Sequence, residues 1–135
     1  MYADIPGFLS PSVITGEDHR PDVVIKHEND LWILELTVGF ETNIKKNFDR
    51  KKRYSNLIIE LAHSYRKVNY VNLSMGAVGV IGKESDILNL LRHFKLSVSD
   101  ISYHVGKIMN ICVRTTYYIF CRRNCDWLNP PLMEW

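Results

Sequence analysis

Cysteine is scarce in this chain, and the three that occur support neither a disulfide framework nor a structural metal site. Cys112, Cys121 and Cys125 are odd in number and lack paired spacing, which fits a reducing compartment. Cys121 and Cys125 could lie one helical turn apart, but no nearby histidine or second cysteine pair completes a zinc site. The cysteines therefore argue against a disulfide-stapled secreted domain and against a zinc module.

Long apolar runs and phosphate-loop motifs are also missing. No stretch of about eighteen apolar residues, the length that a membrane helix needs, occurs, and the N-terminus has no signal-peptide pattern. Residues 76–82 are rich in glycine but lack the lysine of a phosphate loop. We therefore expect an intracellular protein, nuclear or cytoplasmic, without membrane association.

The composition and the order of elements predict one α/β domain. The chain has 135 residues, 46% of them hydrophobic, so it can bury a core. Its net charge is only +2, so the overall charge does not identify a nucleic-acid-binding protein. We expect the domain to span residues 1–125 and the tail to span 126–135. After an N-terminal hairpin, the predicted elements are a helix over 42–67, strands over 70–73 and 77–81, and helices over 84–94 and 99–122. This order indicates a small mixed sheet flanked by helices.

The hairpin is the part of the sequence that carries chemistry. Residues 22–26 and 31–38 have strand composition, and polar residues separate them. A loop of even length, centred on Glu28-Asn29 or on Asn29-Asp30, places Asp22 and Glu35 on one face, whereas an odd loop separates them. With the two-residue loop Asn29-Asp30, Asp22 and Glu35 become diagonal neighbours, about 5–8 Å apart.

Two carboxylates at such a distance repel each other unless a proton or a cation lies between them. Oxygen ligands favour a hard divalent ion such as Mg²⁺ or Mn²⁺. Alternatively, both acids are ordinary surface residues of the hairpin. Glu35 weighs against that alternative, because it interrupts the apolar run from Leu31 to Val38 and a lone buried carboxylate is costly.

The ordered motifs Arg20-Pro21-Asp22 and Glu35-Leu36-Thr37 resemble those of the PD-(D/E)XK nuclease superfamily, the restriction-endonuclease-like fold. Glu41, residues 43–44 and a basic stretch ending at Tyr54 extend the match. The wider string is similar to nuclease-like domains found beside the reverse transcriptases of animal retrotransposons. The resemblance covers residues 2–125 and its specific motifs lie within 20–54.

The resemblance implies a restriction-endonuclease-like core and a Mg²⁺- or Mn²⁺-dependent DNA endonuclease from a mobile element. It implies metal binding by Asp22, Glu35 and the backbone carbonyl of Leu36. DNA is the implied partner, together with a homodimer or a polyprotein that contains a reverse transcriptase. An N-terminal helix normally precedes the first strand in that family, and here the sequence begins at about the first strand.

Thr37 stands where the family usually has lysine, and its hydroxyl carries no charge. Some members of the superfamily carry the lysine on the following helix, and Lys51 is the best candidate here, with Lys52 and Arg50 as alternatives. Glu41 is either a further acidic ligand or a residue that interacts favourably with the helix N-terminus.

A basic cluster lies beside the proposed site and suits contact with DNA phosphates. Its members assigned to nucleic-acid binding are Lys45, Lys46, Arg50, Lys52 and Arg53. Two alternatives to an active nuclease stay open. The first is a catalytically degenerate member that binds nucleic acid without cleavage, and the second is a remnant that interacts with other proteins.

Overall fold

The protein forms a four-stranded mixed sheet with helices, as the sequence predicts. The computed structural model describes residues 1–39, 54–81 and 85–122. The strands are β1 (Tyr2–Ala3), β2 (Val23–His27), β3 (Asp30–Gly39) and β4 (Lys67–Gly76), and the helices are α1 (Ser12–Thr15), α2 (Ser55–Leu61), α3 (Ile87–His93) and α4 (Val98–Cys121). The sheet order is β1-β2-β3-β4. β1 and β3 both run antiparallel to β2, whereas β3 and β4 run parallel.

The hairpin between β2 and β3 closes with the two-residue turn Glu28-Asn29, since His27 pairs with Asp30. Glu28 has a φ of +52°, and the turns that favour two-residue hairpins need a positive φ at this first position. The pairing deduced from an Asn29-Asp30 loop is therefore wrong, and Val24 lies opposite Ile33. Both loops are even, so the assignment of residues to faces is unchanged.

Each face of the sheet carries its own apolar cluster. On one face, Tyr54 and Leu57 at the start of α2 pack on a cluster that contains Ile33. On the other face, Trp32 and Leu34 pack with α3 and the residue after it. Because both of its faces are covered, β3 reads as a nearly continuous apolar run.

The helix α2 ends six residues before the predicted helix end at Lys67. The part of the 42–67 helix that the structure describes ends at Leu61, and β4 begins at Lys67. Arg66 pairs with Asp30 through two hydrogen bonds of 2.8 and 2.7 Å, and the Arg66 N–H bonds the Asn29 carbonyl. These contacts draw the chain back to the hairpin, which an extended helix would prevent.

The predicted strand over 77–81 is wrong. A turn follows β4, and the segment contributes only an isolated bridge between Met75 and Ile81. Gly79 takes a φ of +86°, and a Cβ there would lie 2.8 Å from the Val113 Cγ2 atom. The turn therefore packs against α4 at a point where only glycine fits without a shift.

The two C-terminal helices occur where the sequence predicts them. Ser97 caps α4, since its hydroxyl accepts a hydrogen bond from the Asp100 N–H at 3.1 Å. On α4, Cys112 is buried, whereas Ile119 is 52% exposed. No helix in the described ranges is long and apolar enough to span a membrane. The predicted tail, 126–135, lies outside the described residues.

Candidate metal centre

Glu35 lies where β3 leaves the apolar core and enters a polar region. The residue is only 7% exposed, and the hydroxyl of the fully buried Tyr54 donates a hydrogen bond to its Oε2 atom at 3.0 Å. Tyr54 directly precedes α2, so the helix start brings the donor to the carboxylate. This bond offsets part of the cost of burying a charged group.

Asp22 directly precedes β2 and follows the buried Pro21. Its Oδ2 atom accepts a hydrogen bond of 2.8 Å from the backbone N–H of Leu36. One step beyond the Val23–Leu34 pair, Asp22 falls opposite Glu35 rather than diagonal to it. Directly opposed residues share a face of the sheet, as an even loop predicts for Asp22 and Glu35. Their Cβ atoms are typically about 4.5–5.5 Å apart.

β4 contributes two buried polar residues that the sequence analysis missed. Asn72 and Ser74 are 4% and 0% exposed, and the Ser74 hydroxyl donates to the Asn72 Oδ1 atom at 2.5 Å. In the parallel register, Asn72 pairs with Glu35 and Ser74 pairs with Thr37. Residues 70–74 alternate in polarity, a pattern that usually marks a strand with one solvent-exposed face, so it does not predict that Asn72 and Ser74 are buried.

We call the set Asp22, Glu35, Thr37, Asn72 and Ser74 the polar corner. It lies toward the carboxyl ends of the parallel strands β3 and β4, where ligands commonly bind in α/β sheets. Asp86 covers the outer edge of β4, because its N–H bonds the Asn72 carbonyl at 2.8 Å and its Oδ2 accepts from the Asn72 N–H at 3.1 Å. The corner is thus closed on the side of β4 and carries the exposed Asp22 on the side of β2.

The donor set of the corner fits a hard divalent cation. Asp22 and Glu35 supply carboxylate oxygens, and each has one oxygen fixed by a hydrogen bond, which is how metal-binding carboxylates are commonly oriented. The N–H and the C=O of one strand residue point to the same side, so the Leu36 carbonyl faces the side of Asp22. Among residues 1–39, 54–81 and 85–122, no group of three or more His, Cys, Asp or Glu side chains could hold a metal. Mg²⁺ tolerates such a sparse set because it keeps several waters.

Several predicted site residues fall outside the described residues, namely Glu41, Lys45, Lys46, Arg50, Lys51, Lys52 and Arg53. Their assignments stay predictions. Thr37 is described, and it is half-buried on the face of Glu35 next to Ser74. Its neighbour in sequence, Leu36, points its side chain to the opposite face.

An apolar groove occupies that opposite face. It has a volume of about 560 Å³ and lies between the ends of β3 and β4 and the helix α4, with Leu36, Val38 and Cys112 among its lining residues. Burial raises the pKa of the Cys112 thiol. The groove offers no carboxylate ligand among its lining residues, so it is separate from the polar corner.

No protein-family model matches the chain, and no curated protein is significantly similar to it. The class of protein is therefore described from its fold and its site alone. It is a mixed α/β protein with a buried glutamate and an exposed aspartate on one face of the sheet. The nuclease interpretation rests on the sequence motifs and on the fit of this corner to a cation.

Proposed function

We propose that the protein is a metal-dependent DNA endonuclease of the PD-(D/E)XK type, with a restriction-endonuclease-like core. The observation that carries the proposal is the hydrogen bond from Leu36 N–H to Asp22, one residue from the buried Glu35 carboxylate. It joins the two motif elements across the hairpin.

Asp22, Glu35 and the Leu36 carbonyl are the proposed ligands of Mg²⁺ or Mn²⁺. Such an ion, when bound, supplies Lewis-acid stabilisation for the charge that develops on a phosphodiester. Tyr54 holds the Glu35 carboxylate through its Oε2 atom, and Leu36 holds Asp22 through Oδ2. These two bonds fix the orientation of the ligands before the ion arrives, which is the contribution expected of the protein.

Thr37 cannot provide the positive charge of the usual lysine, so we assign that role to Lys51, with Lys52 and Arg50 as alternatives. Tyr54 comes directly after the basic residues 45–53 in the sequence and contacts Glu35. This contact supports the assignment of a cation from that stretch to the carboxylates. Glu41 is proposed as an additional acidic residue of the site. Phosphate contacts are assigned to Lys45, Lys46, Arg50, Lys52 and Arg53.

The biological setting is part of the same proposal. By its motifs the domain would cut or nick DNA for a mobile element inside the cell. Its partners would be DNA and either a second copy or a polyprotein with a reverse transcriptase. A dimer would allow two active sites to act on the two strands.

The test is cleavage of supercoiled plasmid and of a branched DNA with Mg²⁺ or Mn²⁺. Asp22→Asn and Glu35→Gln are nearly isosteric and should abolish metal-dependent nicking. Glu28→Gln is the matched control, because Glu28 is an exposed carboxylate in the hairpin turn. Wild type that nicks DNA equally well with EDTA, or variants as active as wild type, would refute the proposal.

A second candidate function is DNA binding without cleavage. Thr37 favours it, since this position faces the corner beside Ser74 and carries a hydroxyl instead of an amine. It predicts that wild type retards DNA in a salt-sensitive manner, that no metal produces nicks, and that Asp22→Ala leaves the retardation unchanged. Nicking by wild type would exclude it.

A further inference from the structure

Two buried residues of the polar corner, Asn72 and Ser74, have no part in the ligand set proposed above. Asn72 is 4% exposed and Ser74 is 0% exposed. Burying polar groups costs free energy, and their hydrogen bond of 2.5 Å offsets only part of it. Apolar residues of similar size would fill the same space more favourably, so a polar pair here points to function.

The pair lies level with the carboxylate across the parallel strands. Asn72 pairs with Glu35, and neighbouring strands are about 4.7–4.9 Å apart. One step earlier on both strands, the same face is apolar, with Ile33 beside Tyr70. The change from apolar to polar therefore occurs at the same level on β3 and β4, as expected for one site built from both strands.

The orientation of the Asn72 amide is fixed by its neighbours. Ser74 donates to Oδ1, so the Nδ2 donors lie at the other end of the amide. The backbone of Asn72 is bonded to Asp86 through both its N–H and its C=O. An amide held in this way offers N–H donors to its surroundings, and N–H donors suit a carboxylate or a water molecule rather than a cation.

We propose that Asn72 and Ser74 are positioning residues for Glu35. Ser74 sets the direction of the Asn72 amide, and the amide donors hold a water molecule beside the Glu35 carboxylate, which pairs with Asn72 across the strands. The inference rests on the proposed metal-dependent function and adds β4 to the site. Loss of such a supporting contact typically weakens metal affinity about 10–100-fold.

The test measures Mn²⁺ affinity by isothermal titration calorimetry and the thermal unfolding midpoint in EDTA. Asn72→Leu and Ser74→Ala should each weaken Mn²⁺ binding about tenfold or more, while Asn72→Leu unfolds in EDTA at or above the wild-type temperature. Asn69→Leu is the matched control and should bind Mn²⁺ as wild type does. Asn69 lies on the same strand, is half-buried and donates to the Leu31 carbonyl, but it faces away from Glu35.

Two results would overturn the inference. If both variants fold and bind Mn²⁺ as tightly as wild type, with only a lower unfolding midpoint, the pair has a purely structural role. If wild type binds no Mn²⁺ and Asp22→Asn behaves identically, the metal-dependent function fails and the inference fails with it. Should Ser74→Ala not fold, Ser74→Cys keeps the volume with a weak donor and should weaken Mn²⁺ binding in the same direction.

Discussion

In the interior of the protein, the Tyr54 hydroxyl donates a hydrogen bond of 3.0 Å to the Oε2 atom of Glu35. The bond joins the residue before α2 to the end of the apolar segment of β3. It therefore couples the packing of the helix to the orientation of the proposed metal ligand. A helix that shifted along the sheet would break this contact.

Tyr54→Phe should destabilise the fold and reduce cleavage together. Removal of the hydroxyl takes a donor from a buried carboxylate, which costs about 1–3 kcal/mol. The measurement is urea unfolding followed by fluorescence, combined with plasmid nicking at equal folded fraction. Tyr103→Phe is the control, since Tyr103 is 59% exposed on α4 and should unfold as wild type. A Tyr54→Phe protein with wild-type stability and wild-type nicking would contradict the coupling.

The Asp30–Arg66 pair should make stability depend on acid pH. The hydrogen bonds from Arg66 lower the pKa of Asp30 below its usual value. A lowered carboxyl pKa contributes stability above the unfolded pKa, about 3.9, and that contribution is lost as pH falls through the folded value. Arg66→Ala should therefore unfold more easily than wild type at pH 6, and the difference should vanish well below about pH 4.

Urea midpoints from pH 7 to pH 2.5 would measure this difference. Arg92→Ala is the control, because Arg92 is an exposed cation on α3 outside the pair. Its difference from wild type should stay constant over the same range. A constant difference for Arg66→Ala as well would mean that Asp30 titrates normally in the folded protein.

The sequence predicts those features that follow from local pattern. The parity of the hairpin loop assigns Asp22 and Glu35 to one face whichever even loop forms. The composition of residues 31–38 predicts the strand β3, whereas the cover on both of its faces is known only from the structure. No glycine or proline marks the end of α2 at Leu61. The chain instead turns back to the hairpin where Arg66 bonds Asp30, and this contact between distant residues is not visible in the local sequence.

Other features depend on contacts between distant segments. Asn72 and Ser74 alternate with apolar residues and look solvent-facing in sequence. Asp86, fourteen residues after Asn72, bonds the Asn72 backbone at the outer edge of β4. The run 77–81 has strand composition, but the conformation of Gly79 and its contact with α4 impose a turn. Local pattern contains neither contact.

The Cys112 thiol should be inert in the folded protein. Burial raises its pKa, and the thiolate is the reactive form. In a Cys125→Ser background, the exposed Cys121 should react with a thiol reagent at pH 8 at least about tenfold faster than Cys112. Cys121→Ser provides the matched measurement of Cys112 alone. Equal rates for the two thiols would mean that the groove beside Cys112 opens readily.

Gly79→Ala should destabilise the protein, whereas Gly106→Ala should stabilise it. At Gly79 a Cβ would lie 2.8 Å from Val113 Cγ2 and 3.4 Å from the Met109 carbonyl oxygen, on a backbone with φ +86°. A side chain in this region costs about 1–3 kcal/mol. At Gly106, inside α4, no atom lies within 4 Å of the added Cβ, so alanine should gain about 0.5–1 kcal/mol through helix propensity. Urea unfolding of both variants measures the two signs, and a neutral Gly79→Ala would show that the turn does not press on α4.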